Sequence, residues 1–423
     1  MLKYSEMNKE QLRSELEAIK QRYEDFCRRG LKLDMSRGKP CKEQLDLSLE
    51  LLNMVNSENG YKDSYGTDCR NYGLVDGLPE LKALFAEILE VPAENVIVGG
   101  NSSLNLMFDT VQQAMFKGLG GQPWSSQGKV KFVCPAPGYD RHFAICEYFG
   151  IEMITVQNKP NGPDIDTICK LIEGDPAIKG IWCVPKYENP EGFTYSDEAV
   201  KRLAAVKPAA PDFRIFWDNA YAVHDLNDEG DKLLNIYKEC SKNGNEDMVI
   251  MFTSTSKITF AGAGVAAMAA SSANISEIKK RLTIQTIGPD KINQLRHIRM
   301  FKNLDDIKAH MKRHAQIIKP KFETVLRIFD QELGDTGIAH WTKPNGGYFI
   351  SLWVLSGCAS RVTELCKQAG LVVTPAGATY PYGKDPDDSN IRIAPTFPDI
   401  SELAAATELL CICVKYAALE KMI

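Results

Sequence analysis

No stretch of the sequence is apolar for the length that a bilayer span needs. The opening, MLKYSEMNKEQLRSELEAIKQRYEDF, is charged throughout and lacks the hydrophobic segment of a secretory signal. A cytoplasmic location with no membrane partner is therefore expected. Long runs of one charge are also missing: 50 basic residues stand against 55 acidic ones, a slight acidic excess, so the electrostatic footprint of nucleic-acid binding is absent. The 12 cysteines form no CxxC pair. In a reducing compartment this pattern points to buried free thiols, with Cys411 and Cys413 inside an apolar helical run, and no metal site is expected. There is no internal repeat and no low-complexity tract.

What the chain has is apolar substance, 44% of its 423 residues, enough for a large core and two or three domains. Residues 7 to 28 carry helical periodicity with mixed charge, and the turn-like Ser36-Arg37-Gly38-Lys39-Pro40 breaks it, so a helix followed by an extended crossover is expected. Pro79 marks a helix start, and another helix is expected from Ser103. The short apolar runs VIVG, VKFVC, EMITV, GIWCV, FRIFW, MVIMFT and VAAMAA, which begin at Val96, Val130, Glu152, Gly180, Phe213, Met248 and Val265, alternate with helix-length segments. Buried strands spaced in this way predict an α/β fold with a mostly parallel sheet covered on both faces. Helical patterns from about 274 to 333, strands near 347 to 353 and 389 to 393 and a final helix after Pro398 predict a smaller α+β domain. The expected division is 1–50 as an N-terminal helix and crossover packing with the small domain, 51–300 as the large domain and 301–423 as the small one. The glycine-rich stretch 118 to 129 is expected to be the most mobile loop.

Four elements carry chemistry. Lys257 closes Thr253-Ser254-Thr255-Ser256-Lys257 at a strand end. An imine-forming lysine must lose its charge, which burial promotes, and the neighbouring hydroxyls could ligand a phosphate, although an ordinary serine-rich turn presents the same residues. In Trp217-Asp218-Asn219-Ala220-Tyr221 an acid ends an apolar strand, where open α/β sheets bind ligands. Asp218 could hold a pyridine nitrogen protonated so that the ring accepts electrons, or it could cap a helix. Asn189, in Lys186-Tyr187-Glu188-Asn189-Pro190-Glu191-Gly192, could donate to a ring oxygen. Val98-Gly99-Gly100-Asn101-Ser102-Ser103 runs from strand through glycines into helix, either a phosphate cup or a plain turn with Asn101 or Ser102 as cap.

The order of these elements, with Pro135-Ala136-Pro137-Gly138-Tyr139 between them, resembles the fold-type I, class I/II aminotransferases, which depend on pyridoxal 5'-phosphate. The likeness runs from about Ser36 to Pro398. It implies that Tyr139 stacks on the pyridine ring, that Asn189 and Tyr221 hydrogen-bond its 3-oxygen, that Asp218 faces the ring nitrogen and that Lys257 is the Schiff-base lysine. Gly100, Asn101, Ser102 and Ser254 fall where the family binds phosphate. Asn71-Tyr72-Gly73 resembles the segment whose tyrosine, here Tyr72, reaches the phosphate across a dimer interface, so a homodimer with shared active sites is implied. Arg392, in Asn390-Ile391-Arg392-Ile393-Ala394, matches the arginine that clamps the substrate α-carboxylate, a task for a bidentate, permanently charged fork, with a surface ion pair as the alternative. Gly38 and Asn189 fall on the substrate side.

One departure stands out: where the family has a phosphate arginine, eight positions after the lysine, this chain has Val265. SRGKP, TSTSKITFAGAGVA and NIRIAPTFP resemble a divergent branch, the subgroup Ic aspartate aminotransferases and MocR-type aminotransferase domains. That likeness implies ping-pong transfer from L-aspartate to 2-oxoglutarate, with Arg37, Lys39 or Lys291 as candidate cations for a side-chain carboxylate. A pyridoxal-phosphate β-lyase or decarboxylase could keep every cofactor residue. A ligand-sensing MocR-type regulator would need a DNA-binding domain, for which the about thirty residues before SRGKP are too few.

Overall fold

The computed structural model describes residues 3–423; Met1 and Leu2, the first two of the N-terminal segment, lie outside the described residues. A short strand, β1 (Leu33–Asp34), leads into the central sheet. That sheet contains β2 (Val96–Val98), β3 (Lys131–Ala136), β4 (Glu152–Lys159), β5 (Gly162–Pro163), β6 (Ile178–Cys183), β7 (Arg214–Asp218), β8 (Val249–Ser254) and β9 (Ala266–Ala270). Their order across the sheet is β2-β9-β8-β7-β6-β3-β4-β5. The five strands from β4 to β8 in that order run parallel. β9 is antiparallel to both its neighbours, and β5 turns back on β4. The seven apolar runs read from the sequence all lie on strands of this sheet.

Side-chain alternation explains why most of these runs are predominantly apolar. In β7 every residue is buried. Ile215 and Trp217 join one core with Val133, Ile181, Val249 and Met251. Phe216 joins another, on the opposite face, with Phe132, Trp182, Ile250 and Phe252. A strand that must fill both faces cannot alternate apolar with polar.

A third core combines the two ends of the chain. Leu12, Ile19, Tyr23 and Phe26 of helix Lys9–Arg28 pack with helix Ile400–Met422 and with an antiparallel sheet of β10 (Ala339–Trp341), β11 (Ile350–Val354) and, beyond β12 (Leu371–Val372), β13 (Asn390–Ile393). β1 pairs in parallel with β12, which ties the crossover to the C-terminal part. Helix Leu304–Leu333 begins just beyond the division expected at residue 300 yet serves both cores: Ile307 and Met311 belong to a core of the large sheet, while Ile318, Phe322 and Val325 belong to the third core.

The segment 118–129, expected as a mobile loop, is instead fastened. Trp124 is fully buried, Arg214 Nη2 donates to the Leu119 carbonyl at 2.5 Å, and Ser125 Oγ donates to Met115 at 2.6 Å. All 12 cysteines are free, and all but the half-buried Cys27 are buried. Among the described residues, no helix is long and apolar enough to cross a membrane.

Candidate active site

Parallel strands that end together leave their following loops on one side of the sheet, and a crevice forms beyond their carboxyl ends. Asp218 is the last residue of β7 and Ser254 the last of β8, Lys257 follows three residues on, and Tyr139 and Asn189 come from the loops after β3 and β6. These loops and the Ser36–Pro40 crossover enclose a cavity of about 350 Å³. Of the residues singled out from the sequence, Gly38, Ser102, Tyr139, Asn189, Asp218, Tyr221, Ser254, Lys257 and Arg392 line it together, with Arg37 and Lys39. Gly100 and Asn101, which precede Ser102 in the turn, are not among the cavity's lining residues. Tyr72 lies outside this chain's cavity and is 80% exposed. Lys291 is buried with its amine on the Gly73 carbonyl at 2.9 Å, so of the three candidate cations only Arg37 and Lys39 line the cavity.

Asp218 is 3% exposed, and no helix follows it to be capped. Its Oδ2 lies 3.1 Å from His142 Nε2, and its Oδ1 is buried without a partner. A buried carboxylate oxygen left without a donor costs on the order of 1–3 kcal/mol or more, so this atom is built for a donor that comes from outside the chain. His142 went unnoticed in the sequence. It is itself 1% exposed and stacks on Trp182, ring centroids 4.4 Å apart, which fixes the orientation in which it meets Asp218.

Lys257 extends toward the rings of Tyr221 and Tyr348, with Nζ 5.2 and 5.7 Å from their centroids. Burial lowers its pKa from the usual lysine value; Asp218 opposes that shift and Arg392 adds to it. The loop that carries it is held by hydrogen bonds. Thr255 N donates to Val265 O at 2.8 Å and Val265 N to Thr255 Oγ1 at 2.9 Å, while His297 Nε2 contacts Thr255 Oγ1 and Thr259 Oγ1 at 3.1 and 3.0 Å. Val265, 2% exposed, packs with Ile258 in the core and brings no charge to the cavity. Ser256 Oγ donates to Asn101 O at 3.2 Å, joining the lysine loop to the glycine turn. Ser102 caps helix Ser103–Lys117 by accepting from Leu104 N at 3.2 Å, so the capping reading holds while Ser102 and Ser103 also face the cavity.

Opposite, Arg392 is buried on β13 rather than exposed on the surface. Its Nη1 lies 3.0 Å from Asp140 Oδ1 and 3.3 Å from Asn189 Oδ1, and its guanidinium lies over the Phe349 ring at 4.9 Å. The other face of the wall explains Gly38: a Cβ there would come within 2.6 Å of Phe349 Cζ. Asp140 and Arg141, neither of them picked out from the sequence, also line the cavity, directly after Tyr139. Burial raises the Tyr139 phenol to about 12, so it stays neutral.

The sequence matches the family model described as aspartate amino-transferase over residues 7–423. The chain belongs to that family. It is similar to the aspartate aminotransferase of Corynebacterium glutamicum, 46% identical over 96% of this chain and 94% of the relative. The crystal structure of an aspartate transaminase from the same species superposes with a TM-score of 0.96 at 45% identity, covering 99% of this chain and 98% of that one. An α-aminoadipate aminotransferase from Thermus thermophilus, complexed with N-(5'-phosphopyridoxyl)-L-leucine, shares the fold at 19% identity with a TM-score of 0.76, over 93% and 94% of the two chains. The protein is thus an aminotransferase of fold type I, and its cofactor is pyridoxal 5'-phosphate. The residues present suit that group. The orphan Asp218 Oδ1 matches a protonated ring nitrogen, the Lys257 amine has its charge disfavoured, and Ser102, Ser254 and Ser256 offer hydroxyls beside a helix N-terminus.

Proposed function

We propose that this aminotransferase moves the amino group of L-aspartate to 2-oxoglutarate, with Lys257 as the residue that carries the cofactor and moves the substrate proton. The observation that carries the assignment of roles is the buried, partnerless Asp218 Oδ1 in the same cavity as the charge-disfavoured Lys257 amine. When bound, pyridoxal 5'-phosphate supplies a carbon that accepts the amine and a ring that takes up the electrons released at Cα.

The chain's own residues do the rest. Asp218 Oδ1 keeps the ring nitrogen protonated, and His142 Nε2, on the other carboxylate oxygen, keeps Asp218 aimed. Asn189 turns its Oδ1 to Arg392, which leaves its amide N–H groups for the ring oxygen beside the Tyr221 hydroxyl. Tyr139, which lines the cavity, would hold the ring by its face. Ser102, Ser254, Gly100 and Asn101, with the N-terminus of helix Ser103–Lys117, receive the phosphate. Lys257 Nζ would be the group that moves the substrate proton, a task that requires the neutral amine that burial favours. We read Tyr72, exposed here, as serving the cavity of a second copy in a homodimer.

Aspartate as donor is supported by the charge around the cavity. Its walls carry Arg37, Lys39, Arg141 and Arg392 against only Asp140 and Asp218. That surplus suits a phosphate and two substrate carboxylates, and an unpaired carboxylate would be costly to bury there. The name of the Corynebacterium glutamicum relative points the same way. Borohydride reduction and peptide mapping test the lysine: the cofactor should be recovered on the peptide that holds Lys257, and its recovery on another lysine overturns the assignment. A panel of amino donors tests the substrate. Aspartate and glutamate should lead by a wide margin, and fastest turnover of alanine or an aromatic donor overturns the aspartate reading.

A further inference from the structure

Arg392 is not idle when substrate is away. Its Nη1 is taken twice, by Asp140 Oδ1 at 3.0 Å and by Asn189 Oδ1 at 3.3 Å, its Nε faces Thr374 Oγ1 at 3.4 Å, and only Nη2 has no hydrogen bond among the described residues. An end-on fork to a carboxylate needs one N–H from each terminal nitrogen. For that end-on geometry one of the Nη1 partners yields. Asn189 is neutral and anchored in the turn after β6. Asp140 is the one that can leave, because its side chain is 32% exposed toward the cavity while that of Arg392 is 9% exposed. It would also be driven out, since an arriving carboxylate repels it.

From these contacts we infer that Asp140 is a stand-in for the substrate α-carboxylate: it neutralises and aims Arg392 and is exchanged for substrate on binding. This rests on the reading of Arg392 as the α-carboxylate clamp. Once displaced, Asp140 still has stabilising surroundings. It lies in the first turn of helix Asp140–Phe149, where the helix dipole favours negative charge, and its Oδ2 is 3.9 Å from Arg141 Nε. The exchange substitutes one ion pair for another, so the gain from the α-carboxylate is reduced for every ligand alike. Asp140 thereby sets how much carboxylate must be present before Arg392 gives way, and it keeps single-carboxylate anions of the medium out of the site.

The sign of one measurement decides. In the cofactor-loaded enzyme, Asp140→Asn should bind propionate and succinate more tightly, each by about tenfold, roughly the worth of one charge-assisted hydrogen bond. KM for amino donors should fall with kcat little changed, as expected when a contact common to ground and transition states is altered. If Asp140 only props Arg392 in place, its loss weakens both anions; weaker or unchanged binding overturns the proposal. Asp140→Ser, which keeps a short polar side chain in the first turn of the helix, gives the same comparison if the asparagine variant folds poorly. Arg392→Lys is the companion control, because it must weaken both anions in either case. Were it to leave propionate binding untouched, the clamp reading of Arg392 would fall, not the inference about Asp140 alone.

Discussion

The two walls of the cavity are built in opposite ways. The wall made by the sheet sets its polar groups at or just after strand ends and holds them with hydrogen bonds: Asp218 by His142, and Lys257 on a loop clamped by Thr255, Val265 and His297. The wall made by the crossover and β13 offers long cations, Arg37 and Lys39, both exposed, and a guanidinium that already has an acidic partner. The difference separates two tasks. A cofactor is the same at every turnover and rewards rigid, pre-aimed groups, whereas two substrates alternate in one place and need a wall that can exchange partners.

Substitutions on either side can break or sharpen that division. The largest effect is expected for Lys257→Ala, a loss of turnover on the order of 10⁴ or more with the fold retained, measured by single-turnover kinetics and circular dichroism. A variant that keeps a tenth of the activity would remove Lys257 from the chemistry. Asp218→Asn should keep cofactor yet lose roughly a hundredfold or more in kcat, and His142→Ala about tenfold, because it acts through Asp218. Equal losses in the two would deny that order. On the other wall, Arg392→Lys should lower kcat/KM by roughly a hundredfold, since a point charge cannot replace the fork. Gly38→Ala, which sets a methyl against Phe349, should raise KM more than it lowers kcat, with a stability cost of about 1–3 kcal/mol.

The smallest effect tests the rigid wall beside Asn189. Glu191 is enclosed there with Glu188, whose carboxylate accepts from Glu191 N at 2.8 Å, and desolvation raises the Glu191 carboxyl from 4.5 to about 7. A group whose folded-state value is raised contributes stability that is complete below the unfolded value and is lost as pH rises through the folded one. The parent protein should therefore lose stability between about pH 5 and pH 8. Glu191→Gln should melt a few degrees higher than the parent at pH 8 and show no gain at pH 5. The same gain at both pH values would assign it to packing instead.

How much of this was legible in the sequence follows from what each part requires. Seven of the eight strands of the main sheet showed as mainly apolar runs because most of them fill both faces, and the polar motifs after them, each of which alone could be an ordinary turn or cap, showed the site through their order along the chain. Two-residue strands such as β1, β5 and β12 are too short for any period to appear. Asp140, Arg141 and His142 were hidden because three polar residues at a helix start look like ordinary capping, although their place directly after Tyr139 was the available signal. Glycines made 118–129 look loose, while the single Trp124 that fastens it contributes nothing to a composition count.

Helix Leu304–Leu333 has a consequence for how the molecule comes apart. It carries Met311 in one core and Ile318 in another, so neither core can melt without stripping a helix face from its neighbour, and a single cooperative transition is the expected course of denaturation. Within it Pro320 has no N–H to donate to the Gln316 carbonyl, and that missing rung falls beside the passage from one core to the other. The thirty-residue rod is thus scored near its middle. Amide exchange in the native protein should be fastest, for this helix, in the turn around residues 316–320, with the two halves protected to different degrees on either side.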